Sequence, residues 1–435
     1  MKIKKILALM LAFVLVLAAC GGPKEGEKPE ETPSTGEETP TTGEETPSTG
    51  EETPTEEPVT IVFWHAMNGA QEEALTAMTK SFMEANKNIT VDLQNQTGYA
   101  ELQQKVTATS TSPSDLPTMT QAYPDWMFNP IQDGLVHDLT KFTSELEGYD
   151  DILEGFRKGT TIDGKVYSMP FNKSTEVLWY NADMLEELKL EVPTTYEELA
   201  EVSKKIHEAK GIPGVGFDSL SNYYTTYINA KGQTYDSNFD VTSDVSKEAV
   251  NYYLTGVKEG YFRIAGTEKY MSGPFGNQQA AMYIGSNAGE SYVLEGAAGK
   301  FTPKAAPSPT GVTIQQGTDV FVFESASDAQ KQAAYKYLTY ITSAESQAQW
   351  GIKTGYIPVR TSAINSAEYQ GSGSLIAPIL SDATKNLYSN PVVRGANDAY
   401  REAGTVMEGI LADPTAADVD AALTTFQNTL KGIWE

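Results

Sequence analysis

Between Thr60 and Leu93 the chain carries a strand, a helix and a second strand in succession, and few folds accept that order. Thr60-Ile61-Val62-Phe63-Trp64 is an apolar run of strand length. Ala66-Met67-Asn68-Gly69 turns the chain, after which Leu75, Met78 and Phe82 recur on one helical face. Ile89, Val91 and Leu93 then alternate, as a strand does. A β-α-β unit of this kind builds a parallel sheet. Ligands bind in such sheets beyond the carboxyl ends of the strands, so the Trp64-to-Gly69 loop is expected to face a crevice. The alternation continues along the chain. Leu116 to Tyr123, Ala280 to Gly285 and Val320 to Phe323 read as strands; Leu199, Val202 and Ile206, and later Ala334, Tyr337, Leu338 and Ile341, mark helical faces. The class is therefore α/β, and 435 residues are too many for one core, so two lobes are expected.

The N-terminal residues do not fit this pattern. Met1 to Lys5 is basic, and Ile6 to Leu17 is apolar but too short to cross a bilayer. Leu17-Ala18-Ala19-Cys20-Gly21 resembles the lipobox of bacterial lipoproteins. That resemblance implies cleavage before Cys20, lipidation of its thiol and an extracytoplasmic protein anchored to the cell membrane; several acyl chains on one residue hold where one would not. An ordinary signal peptide with a coincidental cysteine is the other reading. Residues 21–58 repeat Thr-Gly-Glu-Glu-Thr-Pro from Thr35, Thr42 and Thr49. Proline, glycine and like charge predict an unfolded acidic tether, spanning roughly 35 Å as a flexible coil.

Composition removes several function classes. A formal net charge of −26 argues against nucleic acid and against a polybasic membrane contact. With Cys20 alone, no disulfide can form within the chain and no cysteine zinc site is possible. His65, His137 and His207 show no ligand spacing, so neither metal nor cofactor is expected. There is no G-x-S-x-G elbow, phosphate-binding P-loop or H-E-x-x-H. A carboxylate pair could serve a glycosidase, but 58 acidic residues make such pairs uninformative. Gly211 to Phe217 is glycine-rich but runs from helix to strand, the wrong order for a dinucleotide loop.

Ser168 to Asn181 combines three kinds of residue. Pro170 holds its predecessor extended, and Asn172-Lys173-Ser174-Thr175 is a run of hydrogen-bonding side chains. Val177 to Tyr180 reads as a buried strand. The polar run is either a turn or the lining of a crevice, with Lys173 on the rim or in solvent. Asn181 and Thr195 are placed to cap the helices that follow.

Three motifs in order, Phe63 to Gly69, Met169 to Asn181 and Thr354-Gly355-Tyr356-Ile357-Pro358-Val359, resemble the extracellular solute-binding proteins of ABC importers, most of all their glycerol-3-phosphate-binding branch. The resemblance runs from Val59 to the C-terminus. It implies a two-lobed "Venus flytrap": 59–172 with 319–348 as one lobe, 173–318 with 349–435 as the other, and ligand between them. It further implies delivery to a membrane permease by a monomeric receptor that catalyses nothing. Carried over residue by residue, Tyr99 contacts the glycerol end, Ser174 bonds the ligand, Ser286, Gly317 and Tyr356 surround the phosphate, and Arg401 neutralises it. A guanidinium is the planar partner that phosphate oxygens prefer. Two positions depart from the pattern. Proline stands where a glutamate is expected, with Asp125 one place later. A tryptophan pair is missing, with Tyr223 among the candidates in its place. Trp64 is a further candidate contact. The implied ligand is glycerol-3-phosphate or a glycerophosphodiester; a neutral sugar or oligosaccharide is the alternative, and a cleft hydrolase the remote one. In this reading the polar run at 172–175 becomes the first crossing between lobes.

Overall fold

The computed structural model describes residues 57–435. The expected signal segment, the lipidation of Cys20 and nearly all of the tether lie outside the described residues. Ten strands form two five-stranded sheets: β1 (Val59–His65), β2 (Ile89–Asn95), β3 (Met119–Ala122), β4 (Ser168–Ser174), β5 (Glu176–Asn181), β6 (Val215–Phe217), β7 (Phe262–Ile264), β8 (Met282–Ser286), β9 (Pro303–Pro307) and β10 (Gln316–Val322). The first sheet has the order β2-β1-β3-β10-β4. Within it β1 runs parallel to β2 and β3, and β10 antiparallel to β3 and β4. The second has the order β9-β5-β8-β6-β7, with β8, β6 and β7 parallel and β5 antiparallel to β8 and β9.

The helices that position the site are α1 (Ala70–Ala85), α2 (Tyr99–Thr109), α3 (Tyr196–Lys210), α4 (Leu220–Ala230), α5 (Asp244–Lys258), α6 (Asp328–Ile341), α7 (Ala344–Thr354), α8 (Ala396–Ala412) and α9 (Val419–Trp434). Their ends follow from local chemistry. Thr195 accepts the Glu198 N–H at 3.1 Å, while the Glu198 carboxylate reaches back one residue further, to Thr194 N–H at 2.8 Å. Gly211 closes α3 at φ +69°, where a side chain would be strained. Ile61, Phe63, Leu75, Phe82, Val320 and Tyr337 meet in the first lobe's core. The second lobe packs Leu199, Ile206, Phe217 and Tyr253 with Met407 and Phe426 of the C-terminal helices.

The lobes are joined where sheet one hands the chain to sheet two. β4 ends at Ser174 and β5 begins at Glu176, so Thr175 alone makes the crossing. Its N–H donates to Asn287 Oδ1 at 2.6 Å and its hydroxyl to the Ile314 carbonyl at 2.9 Å. Both boundaries expected here shift: the first sheet keeps Lys173 and Ser174, past the boundary expected at 172/173, and on the return it already holds β10 from Gln316, ahead of the boundary expected at 318/319. The boundary expected at 348/349 falls inside α7. That helix packs on α1, and its Trp350 stacks on Phe171 of β4 at 4.9 Å, so all of α7 sits with the first lobe. No helix among the described residues is long and apolar enough to cross a membrane.

Candidate functional site

A cavity of about 330 Å³ opens between the lobes beyond the carboxyl end of β3. From the first lobe come Tyr99 and Gln103 of α2 and Tyr123, Asp125 and Trp126 of the turn after β3. Pro124 starts that turn. The second lobe supplies Asn397, Tyr400 and Arg401 from α8. Lys173 and Gly317 form the floor, where β4 and β10 run side by side. The lobes touch across the cleft: Tyr292 donates to the Asn68 carbonyl at 3.2 Å, and Arg401 Nη1 donates to Gln103 Oε1 at 3.3 Å.

One wall is aromatic. The Tyr99 ring lies 5.5 Å from Tyr123 and 6.2 Å from Trp126, edge-on to both, and Tyr123 and Trp126 are 5.0 Å apart. Behind them Tyr356 shares a 2.9 Å hydrogen bond between hydroxyls with Tyr99. Asp125 sits at the same wall. Desolvation pushes its carboxyl up to about 6; its own N–H and that of Trp126 oppose the shift, and Asp398 adds to it. Arg401 projects from α8 with its side chain exposed, and among the described residues no carboxylate lies within ion-pairing distance of it.

The floor is built to close tolerances. Gly317 has φ +93°, and a Cβ there would lie 1.7 Å from the Asn172 carbonyl oxygen, so the strands approach as they do only because this residue is glycine. Lys173, expected at the rim, is instead buried: its ammonium pairs with Asp319, which also accepts the Ser168 hydroxyl at 2.9 Å. A buried lysine needs such a partner. From the cleft a polar chain runs inward. Tyr400 donates to Asn222 Oδ1 at 2.5 Å, and Asn222 Nδ2 donates to Glu176 Oε1 at 2.8 Å. Burial, with Asp218 adding, raises the Glu176 carboxyl to about 8 against the pull of the Asn222 bond.

Of the residues singled out from sequence, Tyr99, Asp125, Gly317 and Arg401 line the cleft. Tyr356 backs Tyr99 from the next layer, and Ser174 is buried at the end of β4, opposite Gln316. Three lie elsewhere. Trp64 is in the first lobe's interior, with Nε1 donating to Gln94 at 2.9 Å and Lys105 over its ring. The Tyr223 side chain is fully buried among Phe217 and Tyr253, its hydroxyl bonded to the Ala249 carbonyl at 2.7 Å. Ser286 caps the turn after β8 by accepting the Ala288 N–H. Sequence reasoning missed Tyr123, Trp126 and Tyr400. The first two flank Asp125 at a parallel strand's carboxyl end, which was the available signal. Among the described residues no cluster of acidic, histidine or cysteine side chains could hold a metal.

The profile of the family described as bacterial extracellular solute-binding protein matches residues 77–376. The sn-glycerol-3-phosphate-binding periplasmic protein UgpB of Salmonella typhimurium is 23% identical over 348 residues, covering 72% of this chain and 77% of that one. Among solved structures, UgpB from Mycobacterium tuberculosis in complex with glycerophosphocholine superposes with a TM-score of 0.78 at 21% identity, over 86% of this chain and 98% of that one. Maltose-bound MalE3 of T. maritima does so with a TM-score of 0.76 at 20% identity, over 86% and 99%. The two-lobed fold is thus that of these binding proteins, and with most of its body inside the family profile the chain belongs to the bacterial extracellular solute-binding proteins of ABC importers.

Proposed function

We propose that the protein captures glycerol-3-phosphate or a glycerophosphodiester between its lobes and delivers it to a membrane permease, without chemical change. The observation that carries this is Arg401: an arginine at the cleft, free of any carboxylate partner among the described residues, opposite an aromatic wall. Its guanidinium can meet a phosphate with charge-assisted bonds, while Tyr99 and Tyr123 cover the carbon skeleton. The relatives that bind glycerol-3-phosphate and glycerophosphocholine support the choice. In this reading Cys20 carries the lipid anchor and the receptor works as a monomer.

Titration calorimetry against glycerol-3-phosphate, glycerophosphocholine, maltose and free phosphate tests it. A micromolar affinity for a glycerol ester, about 8 kcal/mol, is expected; heat from maltose with none from either ester refutes it. Arg401→Ala should weaken ester binding roughly ten- to hundredfold, the range of one charged hydrogen-bonding partner. A neutral oligosaccharide is the second reading. The wall of Tyr99, Tyr123 and Trp126 beside Asp125 suits a sugar face and its hydroxyls, and there Arg401→Ala would leave binding nearly intact. Sustained turnover of a bound ester would favour a hydrolase.

A further inference from the structure

Asn222 lies early in α4 and is only 2% exposed, yet two residues that line the cleft bond to it. Its Oδ1 accepts the Tyr400 hydroxyl at 2.5 Å and Gln316 Nε2 at 3.2 Å. Its Nδ2 donates the other way, to Glu176 Oε1 at 2.8 Å. These partners set the sense of the amide: turned over, it would point an N–H at the N–H of Gln316. The backbone is fixed too, since the Asn222 N–H donates to Ser219 Oγ at 3.2 Å.

The consequence falls on Tyr400. A phenol has one proton, and here it is given inward to Asn222. What Tyr400 presents to the cleft is therefore an acceptor oxygen. Ser219 Oγ stands 3.5 Å from that oxygen, beyond the usual O–H···O range of about 2.5–3.0 Å. Arg401, the next residue of α8, lines the same cleft.

We propose that Tyr400 is a specificity-determining contact whose hydroxyl oxygen accepts a hydrogen bond from a hydroxyl of the ligand, and that Asn222 is the positioning residue that holds it in that sense. The site then demands a donor on the solute in the neighbourhood of the group that Arg401 meets. A solute offering an ether or carbonyl oxygen there would set acceptor against acceptor, and a site built to pair a hydroxyl rejects analogues that lack it. This assignment rests on the phosphate-ester reading above.

The test is calorimetry at pH 7 with glycerol-3-phosphate, its two monodeoxy analogues and the matching carbonyl analogues. Tyr400→Phe should weaken glycerol-3-phosphate about three- to tenfold, the range of one neutral hydrogen bond, and leave unchanged the deoxy analogue that lacks the accepted hydroxyl. Wild-type affinity in Tyr400→Phe, or an equal loss for the parent and both deoxy analogues, overturns the contact. On wild type, turning that hydroxyl into a carbonyl, which accepts and cannot donate, should cost at least as much as removing it. A carbonyl analogue that binds better than the deoxy one overturns the sense of the bond. Asn222→Leu should fall as far as Tyr400→Phe, and the double variant no further. Asn222→Asp keeps acceptor oxygens for Tyr400 and can share one proton with Glu176, whose carboxyl is raised to about 8, so it should bind like wild type. If folded Asn222→Asp loses as much as Asn222→Leu, the positioning role is overturned. Thermal unfolding separates lost contact from lost fold; Tyr400→Phe removes one oxygen and keeps the ring, so the contact is tested whatever the stability of the Asn222 variants. If wild type binds maltose and no phosphate ester, the ester reading fails by itself. Tyr400→Phe is then compared on maltose, where an unchanged affinity overturns the contact as well.

Discussion

Replacing Glu176 by Gln should change how stability depends on pH, and by a large amount. The side chain is 3% exposed, at the first residue of the strand that opens the second lobe. Its surroundings raise the carboxyl from 4.5 to about 8. Because the folded-state value is the higher one, the folded protein keeps a proton that the unfolded chain releases above about pH 4.5. The stability tied to that proton is complete below pH 4.5 and is lost as pH climbs toward 8. Each pH unit in that window costs about 1.4 kcal/mol, so the range from pH 5 to 8 spans up to about 4 kcal/mol. Gln retains an oxygen for Asn222 and cannot titrate. Urea unfolding of both proteins at half-unit pH steps should therefore show near-equal stabilities at pH 5 and a variant ahead by a few kcal/mol at pH 8. Asp125 and Asp218, also raised, titrate in both proteins and cancel to first order in the difference. A stability difference that does not move with pH would refute the argument, since it would mean that Glu176 is ionised inside the folded protein.

Three more outcomes follow from the cleft. Lys173→Met should destabilise by about 3–5 kcal/mol, because Asp319 is left buried without its cation; adding Asp319→Leu should recover most of the loss in urea unfolding. Gly317→Ala places a Cβ 1.7 Å from the Asn172 carbonyl oxygen and should abolish soluble folded protein. Gly311→Ala, at φ +70° with nothing within 4 Å, should cost only about 1 kcal/mol. Asp125 carries a like charge toward an anionic ligand and titrates near 6, so affinity for a glycerophosphodiester should rise severalfold as pH falls from 7.5 to 5. Asp125→Asn should flatten that dependence in calorimetry.

Local patterns announced much of this architecture and little of its pairing. The apolar run at Thr60 to Trp64, the stripe through Phe82 and the alternation from Ile89 each became the element they suggested. Thr175 turned out to be the crossing, inside a stretch whose polar residues had marked it. Lys173 shows the limit: its partner Asp319 lies far along the chain, so nothing near Lys173 in sequence betrays its burial. Aromatic residues show another. Trp64 at a strand end and Tyr223 early in a helix carry the same local signal as Tyr123 and Tyr400, and only the lobe geometry decides which rings face the cleft and which the core.

At the cleft floor three passes of the chain are stitched side by side. Gln316 and Gly317 pair with Ser174 and Lys173, and Ile357 N–H donates to the Lys173 carbonyl at 2.7 Å. Three separate ropes could twist, stretch and slide independently. Three laterally bonded ones behave as a single plate, and Gly317 at φ +93° and Gly355 at φ +73° pack so closely within it that no side chain would fit. The walls are under no such restraint. Residues such as Tyr123, Trp126 and Arg401 project from a turn and one helix face, so they can be exchanged without disturbing the stitched floor. A change of solute would demand new side chains on the walls and leave the floor untouched.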